Sequence, residues 1–520
     1  MINGASSGSR TAAVSRRTLL LGGLAVAAGA SQPAAARLPW GGAGDPFTLG
    51  IASGDPWPTG VVLWTRLAPQ PLADDGRGGM PHRTVPVGWQ VASDPGFRRL
   101  VRSGTARAVA ERAHAVHVEV DGLAPGAEYF YRFRAGPYLS PAGRTRTAPS
   151  PLATPAARLA VASCANFADG WYTAYRRIAE EEPDLVLFLG DYIYEYAARP
   201  GDVREVVGPV TSTLDTYRLR YSQYRRDADL QAAHQAAPWV VTLDDHEVQN
   251  DWAAGFGEHG IGGAAFLARR AAALEAFYEH MPLRRASVPA GPSMQLYRRL
   301  DWGRLASFHV LDTRQYRSRL TCGQPRCDRA RGDPRRSITG AEQERWLLHG
   351  LASSPATWQV LAQQVIFTYF DRAAGPATDF SGGDWNAYLA SRRRILYGIV
   401  RRRVSNPVVL TGDAHQHLAS DLKADFADPG SVVIGSEFVG TSISSGGDGS
   451  DKNERLRRAV AESPHIKFQS SRRGYLRCDL DGSTWRTDIR VLPYVTRPGA
   501  PVHTAASFVI ENGHPGLHRA

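Results

Sequence analysis

Residues 184–194 read DLVLFLGDYIY. The apolar run 185–189 has no polar alternation, which predicts a strand buried on both faces rather than one half-exposed to water. It stops at Gly190, and Asp191, Tyr192 and Tyr194 follow at once. Three distant stretches repeat that switch from apolar run to metal-binding chemistry: LAVASC (159–164), PWVVTLDDHE (238–247) and PVVLTGDAHQH (407–417). In α/β sheets the chemistry gathers in loops beyond the carboxyl ends of the strands. Cys164, Asp191, Asp245 and His415 are therefore expected at one rim, as a dinuclear metal site.

The donor types narrow the ions. A carboxylate bridges two cations, and the phenol of Tyr194 suits ferric iron. A thiolate from Cys164 is a ligand that a hard alkaline-earth ion would not select. Asp413 and His415, two residues apart, point to one side of an extended chain. The expectation is one transition metal held by S, O and N donors beside a harder ion held by oxygens.

Outward from these strands the chain divides. Residues 38–149 are strand-rich: VHVEVDGLAPGAEYFYRFRAG (116–136) alternates with period two around a turn, and Leu123-x-Pro125-x-x-x-Tyr129 has the spacing of a tyrosine corner. A small all-β sandwich of fibronectin type III kind is expected there. TAPSPLATPAA (147–157) reads as a linker. Strands and helices then alternate over 155–500, an α/β (α+β) two-sheet sandwich flanked by helices. Segments 172–183 and 217–235 read as single helices, and Thr339 with Glu342 as a capping box. TSISSGGDGSD (441–451) reads as a loop able to rim the site, SRRRILYGIVRRR (391–403) as a solvated helix face or an acidic-ligand site, and 501–520 as a C-terminal tail whose polar end ENGHPGLHRA (511–520) leaves the pocket open.

Composition sets bounds. Hydrophobic content of 43% and 12 tryptophans exclude a disordered chain. The formal charge is +11, and favours anionic partners such as phosphate esters or acidic headgroups. Basic and aromatic residues do not interleave as in nucleic-acid-binding modules, and a monomer is expected. Ser15-Arg16-Arg17 heads a short apolar stretch that ends at Ala34-Ala35-Ala36, a twin-arginine signal peptide over 1–36. The mature protein is then exported: secreted, periplasmic or held at the cell wall. Cys322 and Cys327 form a disulfide or stay as loop thiols, and Cys478 reads as core.

Six blocks together carry a family resemblance: SGDPWPTGVVLWTR (53–66), SCANF (163–167), GDYIYE (190–195), DDHEVQND (244–251), LDTRQYRS (311–318) and GDAHQH (412–417). Their content and order resemble the alkaline phosphatases of the PhoD family, a branch of the calcineurin-like metallophosphoesterases. The resemblance implies Fe(3+) on Cys164, Asp191, Tyr194 and His415. It implies Ca(2+) sharing Asp191 and adding Asp245, Asn250 and Asp413, with Asp244 an alternative to Asp245 and the part of His417 open. His246 would contact substrate or act as the acid. Arg314 would anchor phosphate through its bidentate guanidinium.

The expected reaction is attack of a metal-bound hydroxide on phosphorus in phosphate mono- and diesters. A phospholipase D-type diesterase acting on lipid headgroups would use the same metals. A non-catalytic surface-binding protein would have lost ligands, and none of the four ligand blocks has.

Overall fold

The computed structural model describes residues 44–320 and 328–520. The leader and the pair Cys322/Cys327 lie outside the described residues. The described chain forms one compact unit.

The apolar runs become strands. Ala157–Ala162, Leu185–Phe188 and Trp239–Val241 lie side by side and parallel, with Leu185 opposite Leu159 and Val186 opposite Trp239. Their side chains alternate between two cores. Leu159, Val161, Leu187 and Val240 face a second sheet, whereas Ala160, Val186, Phe188 and Trp239 pack with Tyr175 and Ile178 of helix Thr173–Glu180. Both faces are dry, hence the absence of polar alternation. The second sheet is built on Ala306–Val310, Trp358–Gln363, Pro407–Thr411 and Val433–Val439, each parallel to the next. Phe308, Val360, Val408 and Leu410 meet the first sheet. Leu361 and Val409 on the opposite face pack against Leu347 and Ile395 of helices Gly340–Ser353 and Leu389–Arg401. Each such side chain stabilises the sandwich by about 1.5–3 kcal/mol, so truncating Phe188 to Ala should cost about 3–5 kcal/mol.

The residues before 149 build a β-sandwich that is not self-contained. Val85–Ala92, Leu100–Ala108, Glu128–Ala135 and Gly143–Arg146 form one sheet. Ile51–Trp57, Gly60–Arg66 and Ala115–Val120 form the other, and it continues into the catalytic sheet where Gly54 pairs with Trp239. A Cβ on Gly54 would lie 2.5 Å from the Trp239 carbonyl oxygen and 2.6 Å from that of Pro282, so only glycine permits this junction. The tyrosine corner is present: the Tyr129 hydroxyl accepts from the Ala124 N–H at 2.9 Å.

Three local expectations are corrected. The helix read over 217–235 is two, Leu214–Arg225 and Ala228–Ala236, because the extended Asp227 caps the second by accepting from Asp229 and Leu230 N–H. The capping box at Thr339 does not form: its backbone is helical (φ −107°, ψ −6°), which turns the hydroxyl away from the first turn. The tail 501–520 is a hairpin, His503–Glu511 and His514–Arg519, paired onto Thr484–Leu492 at the edge of the first sheet. Among the described residues no helix is long and apolar enough to cross a membrane.

Candidate metal centre

Four strands deliver their last residues to one rim between the sheets. The sheets are fastened just beneath it, where Gln364 Nε2 donates to Thr242 Oγ1 at 2.8 Å; within the second sheet the Gly412 N–H donates to the Gln364 carbonyl at 2.8 Å. Beyond the strand ends the backbone turns sharply. Cys164, Asp191, Asp413 and His415 all take positive φ, between 51° and 59°. Non-glycine residues held in this region cost about 1–3 kcal/mol each and collect at functional sites. Gly190 makes the turn before Asp191: with φ +105°, a Cβ there would sit 2.4 Å from Asp244 Cβ.

The strained turns aim the donors inward. Ligand atoms of Cys164, Asp191 and His415 lie within 4.8 Å of one another. The Tyr194 hydroxyl is 3.1 Å from Asp191 Oδ2 and 3.1 Å from His415 Nε2. Asp244, Asp245 and Asp413 form a second group at the same mutual spacing, and Asp191, Asp245 and His246 a third that links the two. Asn250 stands on the same loop, with its N–H on Glu195 Oε1 at 2.7 Å and its side-chain amide on Glu258 at 3.2 Å. His417 joins none of these groups; its Nδ1 accepts from the Thr441 N–H at 3.3 Å.

The electrostatics are those of a cation site. Burial, then the neighbouring carboxylates, pushes the carboxyls of Asp191 and Asp413 well above the usual range. Burial and Asp191 do the same to the Cys164 thiol and the Tyr194 phenol. Burial also holds the His415 imidazole neutral, at about 3, as a metal ligand requires. Buried oxygens Asp244 Oδ2 and Asp245 Oδ1 have no hydrogen-bond partner. So many buried acids with orphaned lone pairs are tolerable only beside positive charge, and the donor set fits two or more metal ions.

Arg314, expected as an anchor for phosphate, has a side chain only 1% exposed that stands among carboxylates, with its Nη1 lacking a hydrogen-bond partner. Nε donates to Asp244 Oδ1 at 2.5 Å, and Nη2 lies 3.5 Å from both Asp245 Oδ2 and Asp413 Oδ1. It supplies fixed positive charge behind the carboxylates. Burial alone would raise Asp245, but Arg314 and His246 outweigh it and hold that carboxyl below its usual range.

His246 is oriented by a residue that the sequence did not single out. Its Nδ1 lies 2.7 Å from Glu195 Oε2, and its ring stacks on Tyr194 at 4.0 Å. Burial would lower its pKa, but Asp245, Asp191 and Glu195 together raise it well above the usual value. Glu195 is 2% exposed, and its other oxygen takes the Asn250 N–H. Glu247 clamps two ligand loops by accepting from Tyr192 N–H (2.6 Å) and Asp244 N–H (2.8 Å). The loop 441–451 does rim the site: the Ser445 hydroxyl donates to the Cys164 carbonyl at 2.7 Å and lies 2.8 Å from the Tyr194 hydroxyl. Arg473 Nη1 braces the His415 carbonyl at 2.8 Å. Glu195 and Glu247 do end the GDYIYE and DDHE blocks, a position that could have flagged them; Ser445 lies in the loop 441–451 already expected at the rim, whereas Arg473 carried no such signal.

A two-sheet sandwich with a buried cluster of carboxylate, thiol, phenol and imidazole at its rim defines a metallophosphoesterase. A purple acid phosphatase from yellow lupin (Lupinus luteus) seeds has the same fold at 14% identity and a TM-score of 0.52, covering 89% of this chain and 73% of that one. The family model for PhoD-like phosphatase matches residues 159–489, and that for the N-terminal domain of PhoD-like phosphatases matches 32–149. Alkaline phosphatase D of Bacillus subtilis (strain 168) is 50% identical over 483 residues, 91% of this chain and 82% of that protein. The solved structure of PhoD superimposes with a TM-score of 0.89 at 49% identity, over 92% of this chain and 93% of that one. The chain belongs to the PhoD-like phosphatase family, and is a metal-dependent enzyme.

Proposed function

We propose that this enzyme is an alkaline phosphatase that hydrolyses phosphate monoesters and also diesters, with Fe(3+) on Cys164, Asp191, Tyr194 and His415 and Ca(2+) on Asp191, Asp245, Asn250 and Asp413. The observation that carries it is the junction of two unlike donor groups, S/O/N around Cys164 and all-oxygen around Asp245 and Asp413, through Asp191. When bound, such cations neutralise the phosphoryl oxygens and acidify a water molecule for attack. The protein's own part is positional. Strained turns hold the donors in place before the ester arrives, and Arg314 offsets the acids from behind. His246, charged and held at Nδ1 by Glu195, turns its other nitrogen toward the departing alkoxide as proton donor.

Metal analysis paired with kinetics tests this reading. Iron and a second ion should be present, and chelation should abolish hydrolysis of aryl monoesters; a fully active preparation without metal refutes it. Comparing kcat/KM for aryl monoesters, aryl diesters and a phosphatidylcholine dispersion separates phosphatase from headgroup diesterase. A diester preference above about tenfold, roughly 1.4 kcal/mol in transition-state binding, would favour the diesterase.

Export by the twin-arginine route belongs to the same proposal, supported by Arg16 and Arg17 ahead of the apolar stretch. That route carries folded proteins, so iron is loaded before crossing. Arg16→Lys with Arg17→Lys keeps the charge, and precursor should accumulate inside the cell; undiminished export would point to the general secretory route.

A further inference from the structure

Away from the metal centre, helix Leu389–Arg401 and the loop 424–427 border a groove of about 620 Å³. That lies within the range of about 300–1,000 Å³ typical of small-molecule sites. Tyr369, Leu396, Tyr397 and Phe426 give it apolar walls. Arg392 also lines it and is 3% exposed. Its Nη1 donates to the Phe367 carbonyl at 3.3 Å and to Asn386 Oδ1 at 2.8 Å, whereas its buried Nε has no hydrogen-bond partner. The guanidinium carbon stands 5.2 Å from the Phe426 ring and 5.8 Å from that of Tyr369, so two aromatic rings flank it.

Asp384 and Glu437 are the acids nearest to this cation, and neither forms a direct ion pair with it. Asp384 accepts from the Asn386 N–H, and Glu437 from Phe367 N–H, Thr368 N–H and the Thr411 hydroxyl. Burial pushes their carboxyls up to about 6 and about 7. Arg393, exposed, also lines the groove, and neither it nor Arg392 has an ion-pair partner among the described residues; Arg394 beside them is neutralised by Glu344. A buried cation without a direct ion pair and with an orphaned donor is costly, and a bound anion would complete it.

We infer that this groove binds organic monoanions, the carboxylate or sulfonate meeting Arg392 and Arg393 and an aromatic or acyl body lying against Tyr397 and Phe426. Asp425 on the same wall disfavours a second negative charge, which sets this ligand apart from the phosphomonoesters of the metal centre.

The probe is 8-anilinonaphthalene-1-sulfonate, titrated into the metal-loaded enzyme by fluorescence. One saturable site should appear, displaced by decanoate below its micellar concentration but not by inorganic phosphate. N-phenyl-1-naphthylamine, which lacks the sulfonate, should bind at least about tenfold more weakly. Because Arg392→Met risks misfolding, two surface variants carry the test: Ala427→Trp fills the groove and Arg393→Glu reverses its charge. Each should weaken probe binding by about tenfold or more and leave aryl phosphate hydrolysis unchanged. Absence of saturable binding, equal affinity for the uncharged analogue, or unaltered affinity in Ala427→Trp would overturn the inference.

Discussion

Replacing Glu195 by Gln isolates what the buried carboxylate does for His246. The exchange keeps shape and volume, and the amide oxygen can still accept the Asn250 N–H that Glu195 takes at 2.7 Å. What changes is the 2.7 Å contact to His246 Nδ1, where an amide NH2 replaces a negatively charged acceptor. A hydrogen bond to a charged partner contributes about 1.5–3 kcal/mol. Lost from a protonated imidazole, that is about a 10- to 150-fold fall in the step that uses its proton. The effect should therefore depend on the leaving group. Phenyl phosphate, whose departing oxygen needs the proton, should lose about 10- to 150-fold in kcat/KM, and 4-nitrophenyl phosphate less than about fivefold. Metal content should equal that of the unaltered enzyme. The reasoning fails if both substrates fall equally, if neither falls, or if activity tracks lost metal.

Four further substitutions have definite expected outcomes. Cys164→Ala should lose iron while keeping the fold, and Tyr194→Phe should shift or abolish a visible charge-transfer band; iron content unchanged in the first would make Cys164 mere core. Arg314→Gln removes the guanidinium from beside buried Asp244 and Asp245 and half-buried Asp413, and should cost about 3–5 kcal/mol in denaturant titrations. A variant of normal stability with only a raised KM would return Arg314 to phosphate anchoring. Glu437, whose carboxyl is raised to about 7 by burial, is bound by Phe367 and Thr368 N–H. Its contribution to stability is complete below about pH 4.5 and is lost as pH rises through about 7, about 3 kcal/mol in all. Glu437→Gln should flatten the stability profile across that window, as urea unfolding at pH 5 and pH 8 would show; an unchanged slope would mean that another group titrates there.

Much of this protein was determined by local sequence. The runs 159–162, 185–188 and 239–241 had to be strands buried on both faces, because no residue in them could face water. The tyrosine corner and the gathering of Cys164, Asp191, Asp245 and His415 at one rim were equally legible, since each depends on residue types at short, fixed spacing. Tertiary structure decided what depends on partners brought through space. Arg314 looked like a free cation until the fold set it among Asp244, Asp245 and Asp413. Glu195 acquired its part only when His246, distant in the chain, came within 2.7 Å. Ser445 and Arg473 reached the site from a glycine-rich loop and an antiparallel strand with no periodicity of their own to mark them. The hairpin at 503–519 was hidden for a related reason: its edge strand His514–Arg519 buries little and stays largely polar, and Ala506, Phe508 and Ile510 are buried only once their strand pairs onto Thr484–Leu492. Apolar periodicity records burial along one element, whereas a buried polar contact is specified by two elements at once, and only folding brings them together.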